Sequence, residues 1–144
     1  EFKDGYQNKN IISYKIEKIK EFDIYGFIIS SSIKKDVQYK IRELYKEIKE
    51  NKFYDIFNQN ERYGLSFEKN NEYYYVLGSK KKIEDLTKIT IDGGEYAIFE
   101  VGSNLQSDIV STIKFIKNIW YNSSNICIKE DIVLECYIKN NCYN

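Results

Sequence analysis

Glu135 and Tyr137 stand two residues apart within the apolar stretch 132–138, a spacing that turns both side chains to one face of a β-strand. A carboxylate among apolar neighbours must find hydrogen-bond or cationic partners, or else take up a proton. An acid among aromatic rings suits a lipophilic cation, because ring faces and carboxylate attract positive charge together. Trp120 supplies the largest flat surface in the chain, with an indole N–H at its rim. Tyr73 and Tyr75 share a strand face, and Tyr96, Phe99 and Tyr137 fall on strands expected nearby, so several rings could converge on one groove. A cation over such rings gains roughly 0.5–2 kcal/mol per contact, whereas micromolar affinity takes about 8 kcal/mol. Ring burial must supply most of the binding, with modest affinity and broad specificity. Each residue also has a plainer reading. Glu135 is then a structural carboxylate bonded to a Tyr hydroxyl or an Arg, and Trp120 is core. The rings themselves follow in part from a composition with 14 Tyr in 144 residues.

The remaining composition removes most other chemistry. With no His, triads, zinc hydrolysis and haem ligation by His are closed. Cys127, Cys136 and Cys142 are odd in number and lack CxxC spacing, which argues against a disulfide framework and a zinc site and for a reduced cytoplasm. We expect no catalytic residue, no metal and no cofactor. Ser30 to Ser32 have no His to activate them and read as helix capping. Gly93-Gly94 is followed by a strand pattern and is not a phosphate loop. Lys80 to Lys82 reads as a solvated turn. Lys plus Arg equals Asp plus Glu at 22 each, and Arg42 and Arg62 are the two arginines, so nothing here concentrates nucleic acid. The apolar run Ile24 to Ile29 is far short of the roughly 20 residues that span a bilayer, and no signal-peptide pattern opens the chain. We therefore expect a soluble, cytoplasmic protein with no membrane contact. The absence of Met implies that residue 1 is not an initiator and that the native chain could extend upstream.

The elements that must position these residues follow from periodicity. Residues 1–11 are polar and aperiodic and read as a linker or frayed arm, leaving 12–144 as one domain. Ser13 to Lys20 and Ile24 to Ser30 alternate as strands, read as an antiparallel pair joined by the turn Glu21 to Asp23. A helix over about 34–51 carries Ile41, Leu44, Tyr45 and Ile48 on one face. Tyr63 to Glu68 and Glu72 to Gly78 flank Lys69-Asn70-Asn71 as a hairpin. Leu86 to Ile91 and Glu95 to Val101 are strands separated by Asp92-Gly93-Gly94. A second helix over about 107–121, capped within Asn104 to Asp108, places Ile109, Ile113, Ile116 and Trp120 on one face and stops at the run Asn122 to Asn125. Ile132 to Ile138 is the last strand. Tyr25-Gly-Phe-Ile-Ile-Ser30 and Tyr96-Ala-Ile-Phe-Glu-Val101 each lead through a polar turn into a helix. The fold class is thus α+β: two β-α-β-β repeats related by a pseudo-two-fold, an antiparallel sheet with two long helices, and a ligand cleft between the halves.

Three stretches in this order resemble the GyrI-like small-molecule-binding family, the effector-binding domain of AraC-type and MerR-type bacterial transcription regulators. Ile91-Asp-Gly-Gly-Glu-Tyr-Ala-Ile-Phe99 is similar to its "ipaG-x-Tyr-a-v-F" strand entry. Ile119-Trp-Tyr-Asn-Ser-Ser-Asn125 resembles its "Trp-leu-pro-x-ser-x-tyr" helix end, and Leu134-Glu-Cys-Tyr137 its "phe-Glu-x-Tyr" strand. Arg62-Tyr-Gly64-Leu-Ser-Phe67 and Tyr73-Tyr-Tyr-Val-Leu-Gly78 add support across 12–138. The chain departs from the family in having Asn122 where a proline is usual, and in a closing strand missing or reduced to 139–144. The resemblance implies that Glu135 sits in a ligand groove, with Trp120, Tyr75, Tyr96 and Tyr137 as walls and Phe99 and Tyr73 nearby. It implies a small-molecule partner, and DNA contact only through a separate domain absent from this chain. It leaves open a stand-alone ligand-sequestering protein, a hydrolase of small electrophiles with Glu135 positioning a water, and an inhibitory partner of DNA gyrase.

Overall fold

β-Branched and aromatic residues recur with period two in most of the chain, and the backbone answers with seven strands among the described residues. They are β1 (Ile11–Ile19), β2 (Phe22–Ser31), β3 (Arg62–Lys69), β4 (Glu72–Ser79), β5 (Thr87–Ile91), β6 (Gly94–Val101) and β7 (Val133–Tyr137). The helices are α1 (Lys34–Lys49), α2 (Phe53–Gln59) and α3 (Gln106–Phe115), the last continued by a π-turn over Ile116–Trp120. The computed structural model describes residues 8–51, 53–59, 61–103, 105–121 and 132–137. Cys127, Cys142, the helix stop at 122–125, most of the expected arm and the expected strand 139–144 lie outside them. No helix among the described residues is long and apolar enough to cross a membrane.

The chain divides into two compact units, Glu1–Lys20 with Gly93–Lys129, and Glu21–Asp92 with Glu130–Asn144. In the second unit five antiparallel strands run in the order β5-β2-β4-β3-β7. Alternation sorts their side chains. Tyr75, Leu77 and Phe27 meet Val37, Leu44 and Ile48 of α1 and Phe57 of α2, while Ile24, Tyr63, Leu65, Val76 and Ile91 cluster on the opposite face. Each such side chain, fully buried, contributes about 1.5–3 kcal/mol. Helix α1 buries the expected face. Helix α2 was not legible: Asn51 Oδ1 accepts from the Phe53 N–H at 2.9 Å and starts a helix whose Phe53 and Phe57 both pack against Phe27.

In the first unit β1 pairs with β6, and Trp120 of the π-turn lies against Tyr14 and Phe99. The expected pairing of β1 with β2 does not occur. A two-residue connection closes a hairpin readily only where its residues take positive φ. Asn70 and Asn71 do, at 53° and 63°, and join β3 to β4, but Lys20 and Glu21 do not. Nor do β5 and β6 pair: Asp92 and Gly93 link strands of different sheets. The compact units accordingly do not follow the two sequence halves, since β1 joins β6 and α3, while β5 and β7 join the sheet beneath α1.

The two units nonetheless start their long helices with one device. Ser31 Oγ accepts from the Ile33 N–H at 3.1 Å and donates to Asp36 at 3.3 Å. Ser103 Oγ accepts from the Leu105 N–H at 3.2 Å and donates to Asp108 at 2.6 Å. The second serine, apolar residue and aspartate each follow their counterparts by 72 residues. Both satisfy an N–H group orphaned at the start of a helix and place a carboxylate in its first turn. Ser103→Ala removes both hydrogen bonds and should lower stability by about 1 kcal/mol, read as a urea midpoint, and an unchanged midpoint would show that they contribute nothing.

The buried face of α3 differs from the expected one. Ile109, Thr112, Phe115 and Trp120 are buried, whereas Ile113 and Ile116 are half-exposed. Phe115 and Trp120 are five residues apart, on different faces of an α-helix but nearly aligned across a π-turn, whose hydrogen bonds span five residues. Thr112 is tolerated inside because its hydroxyl donates to the Asp108 carbonyl at 2.6 Å.

Candidate ligand-binding site

Strand register brings the acid to the helix-covered face of the second unit. β7 pairs with β3 so that Glu135 lies opposite Gly64 and Tyr137 opposite Arg62. β3 in turn pairs with β4, setting Leu77 against Gly64 and Tyr75 against Ser66. Gly64 is the permissive position: a Cβ there would lie 2.5 Å from the Tyr75 hydroxyl oxygen. The missing side chain lets the Tyr75 phenol lie over β3 and extend towards Glu135.

The Tyr137 hydroxyl donates to Glu135 Oε1 at 2.5 Å. Burial holds the Glu135 carboxyl above its ordinary value, opposed by that hydrogen bond and by the charge of Arg62. Tyr75 is buried, and desolvation, with smaller contributions from Tyr45, Glu135 and Tyr137, drives its phenol far above the ordinary range. Burial first, then the Glu135 charge, does the same to Tyr137. Both phenols therefore remain neutral donors. Tyr45 of α1 shares a hydrogen bond with Tyr75. The Arg62 guanidinium lies 4.3 Å from the Tyr137 ring centre and 5.4 Å from that of Tyr45. No carboxylate among the described residues comes within ion-pair distance of it. The result is a half-buried acid, hydrogen-bonded by Tyr137, beside aromatic rings and, among the described residues, without an ion-pair partner.

Of the residues singled out in sequence, Glu135, Tyr137 and Tyr75 are brought together here, and Tyr73 lies further along β4, packed against the same core. Trp120 and Phe99 meet in the first unit, ring centres 4.9 Å apart and edge to face, with Tyr14 completing the cluster at 5.3 Å from Trp120. Trp120 is only 6% exposed. Tyr96 does not converge with Phe99: three residues apart on one strand, they face opposite sides of the β1–β6 ribbon. Sequence reasoning missed Tyr45, Arg62 and Gly64 as site residues. Arg62 and Gly64 lie in one of the stretches that carry the resemblance, but only the pairing of β3 with β7 gives them a role. On the opposite sheet face, the Lys80 ammonium sits 4.5 Å from the Phe22 ring centre, so one member of the basic run is not simply solvated.

Gly64→Ala should destabilise by about 1–3 kcal/mol, because the new methyl must push the buried Tyr75 phenol aside. In a double-mutant cycle Tyr75→Phe should recover on the order of 1 kcal/mol of that loss, whereas strict additivity would disprove the close approach.

Residues 15–143 match the family model Cass2, integron-associated effector binding protein. The chain belongs to this family. Cass2 proteins are thus a GyrI-like family to which the motif order along 12–138 had pointed. No curated protein sequence matches the chain. Among solved structures, a Staphylococcus aureus MU50 protein described as a candidate bacterial transcription regulation protein superposes with a TM-score of 0.74 at 12% identity, covering 87% of this chain and 86% of that one. The Vibrio cholerae integron cassette protein VCH_CASS2 gives 0.66 at 16% identity, with 89% and 90% covered. SAV2435, solved with tetraphenylphosphonium bound, gives 0.73 at 12% identity, with 88% and 83% covered. The Cass2 fold is therefore common to all three.

Proposed function

We propose that residues 12–144 form a small-molecule effector-binding domain whose Glu135, Tyr137 and Tyr75 receive a lipophilic cation, with Tyr73 as a further aromatic wall. The observation that carries this reading is the Glu135 carboxylate, half-buried beside aromatic rings and hydrogen-bonded by Tyr137, with no ion-pair partner among the described residues. A bound cation would supply that partner. The bound tetraphenylphosphonium of SAV2435 is a ligand of this chemical class. The edge contacts of Trp120 with Tyr14 and Phe99, which stack on one another, favour a core role for these three in the first unit. The task is binding rather than turnover, in keeping with a family described as effector binding.

A thermal-shift titration tests the proposal. A cation that binds only the folded chain stabilises it by about 2.7 kcal/mol at a hundred times its Kd. Tetraphenylphosphonium should therefore raise Tm by roughly 5–10 °C at that excess, and neutral triphenylphosphine oxide should raise it far less. Equal shifts, or none, would overturn the reading, and release of a chemically altered product would replace it with hydrolysis. We further propose that the domain serves a bacterial transcription regulator, as the description of the S. aureus neighbour suggests. A DNA-binding segment encoded next to residues 1–144 would support this, whereas a gene encoding the domain alone would point to ligand sequestration.

A further inference from the structure

We propose that Arg62 is a built-in competitor for the ligand: its guanidinium occupies the aromatic faces beside Glu135, and a ligand enters by displacing it. This rests on the cation reading of Glu135 and adds to it the residue that sets affinity. The guanidinium lies 4.3 Å from the Tyr137 ring centre and 5.4 Å from that of Tyr45. Its charge lowers the Glu135 carboxyl against the upward effect of burial. A flat cation stacked on rings near a carboxylate is the arrangement that the ligand would adopt. Here the chain makes it from its own side chain, so ligand and Arg62 contend for one place.

Space leads to the same conclusion. The adjoining cavity measures about 150 Å³, a volume on the order of that which takes one benzene ring. Tyr45 and Arg62 line it together with Ile48, Phe57 and Leu77, so it continues the ligand site towards the helices. A cavity of one-ring size cannot take the four rings of tetraphenylphosphonium while the guanidinium stays in place. Arg62 is suited to move. It opens β3 and pairs with Tyr137, the last residue of β7, so rotation of its side chain leaves the sheet intact. Its Nε–H is buried and has no acceptor among the described residues. Such a donor is rare, because it forfeits the hydration that the unfolded chain enjoyed. Turning outward returns that donor to water and offsets part of the stacking lost, so the guanidinium is held weakly rather than locked.

The test titrates the full chain with tetraphenylphosphonium and with neutral triphenylphosphine oxide. Both must dislodge the same guanidinium, so Arg62→Gln should raise the affinity for each by at least about threefold, the worth of one cation–π contact no longer broken. Repulsion from a stationary Arg62 would instead improve the cation alone, and a purely structural Arg62 would weaken both ligands or change neither. Each of these results would overturn the proposal. Arg62 and Arg42 are the two arginines, and Arg42 is exposed, so their ¹H–¹⁵N Nε–H signals form an internal pair. In the free wild-type chain the Arg62 Nε–H should exchange with water more slowly than that of Arg42, and at saturating tetraphenylphosphonium its rate should rise towards that of Arg42. Protection retained in the complex would overturn displacement, and this measurement decides should Arg62→Gln fail to fold. The two readings fail separately. Equal wild-type affinities for cation and oxide would overturn the cation site and the role of Arg62 with it, whereas a cation preference that depends on Glu135 but is accompanied by no gain in Arg62→Gln would overturn the role of Arg62 alone.

Discussion

Glu135→Gln is expected to reduce the affinity for tetraphenylphosphonium at least about tenfold, or 1.4 kcal/mol, and to change the affinity for neutral triphenylphosphine oxide by less than about twofold. Glutamine keeps the size of the side chain and an oxygen that accepts from Tyr137, so what is removed is the charge. In surroundings poor in water that charge is worth more to a cation than it would be at the surface. pH offers an independent check. Burial raises the Glu135 carboxyl above its ordinary value of 4.5, and a cation prefers the ionised form. Wild-type affinity should therefore climb as pH rises through the raised value and then level off, while Glu135→Gln stays flat. Stability runs the other way. The folded chain holds this proton more tightly than the unfolded one, so the resulting stabilisation is complete below 4.5 and lost as pH rises through the folded value. Relative to wild type, Glu135→Gln should gain stability between acidic and neutral pH. Calorimetry showing equal losses for cation and neutral ligand, or a cation affinity indifferent to pH, would mean that Glu135 is structural.

Trp120→Ala is expected to lower stability by about 3–5 kcal/mol, and Tm by ~10 °C for a chain of this length. Trp120 is 6% exposed and presents its ring at 74° to Tyr14 and 89° to Phe99, and such edge-to-face pairs contribute about 0.5–1.5 kcal/mol beyond area burial. Truncation removes both pairs and leaves a cavity between the ribbon and the helix. Trp120→Phe keeps a ring in place and should lose less than half as much. A Tm within about 2 °C of wild type for the alanine variant would show that the ring is not a keystone of its unit.

The parts of this picture set by local periodicity were legible in the sequence. The two-residue spacing of Glu135 and Tyr137 predicted their shared face, and a 2.5 Å hydrogen bond joins them. The stripe Ile41, Leu44, Tyr45 and Ile48 predicted the inner side of α1. What depends on pairing between distant strands was not legible. Gly64 matters because it faces Glu135 on one side and Leu77 on the other, a relation that no window of sequence contains. Arg62 gains its place beside the site only through the pairing of β3 with β7, which sets it opposite Tyr137. The β1–β2 hairpin was misread because adjacency in sequence was taken for adjacency in the sheet, although Lys20 and Glu21 lack the turn chemistry that Asn70 and Asn71 possess. Tyr96 and Phe99 were expected together although their odd spacing along one strand already separated them.

The π-turn at Ile116–Trp120 bears on how tolerant this helix is of a change in length. Phe115 and Trp120 are five residues apart, and the widened turn absorbs the extra residue while both rings stay inside. Deleting one residue among Lys117, Asn118 and Ile119 would bring the two rings to a spacing of four, which an ordinary α-helix already aligns. A genetic deletion there would therefore tighten the turn without unseating the indole. The same deletion one turn earlier, between Ile109 and Phe115, would swing every later side chain by about 100° and turn the indole away from Tyr14.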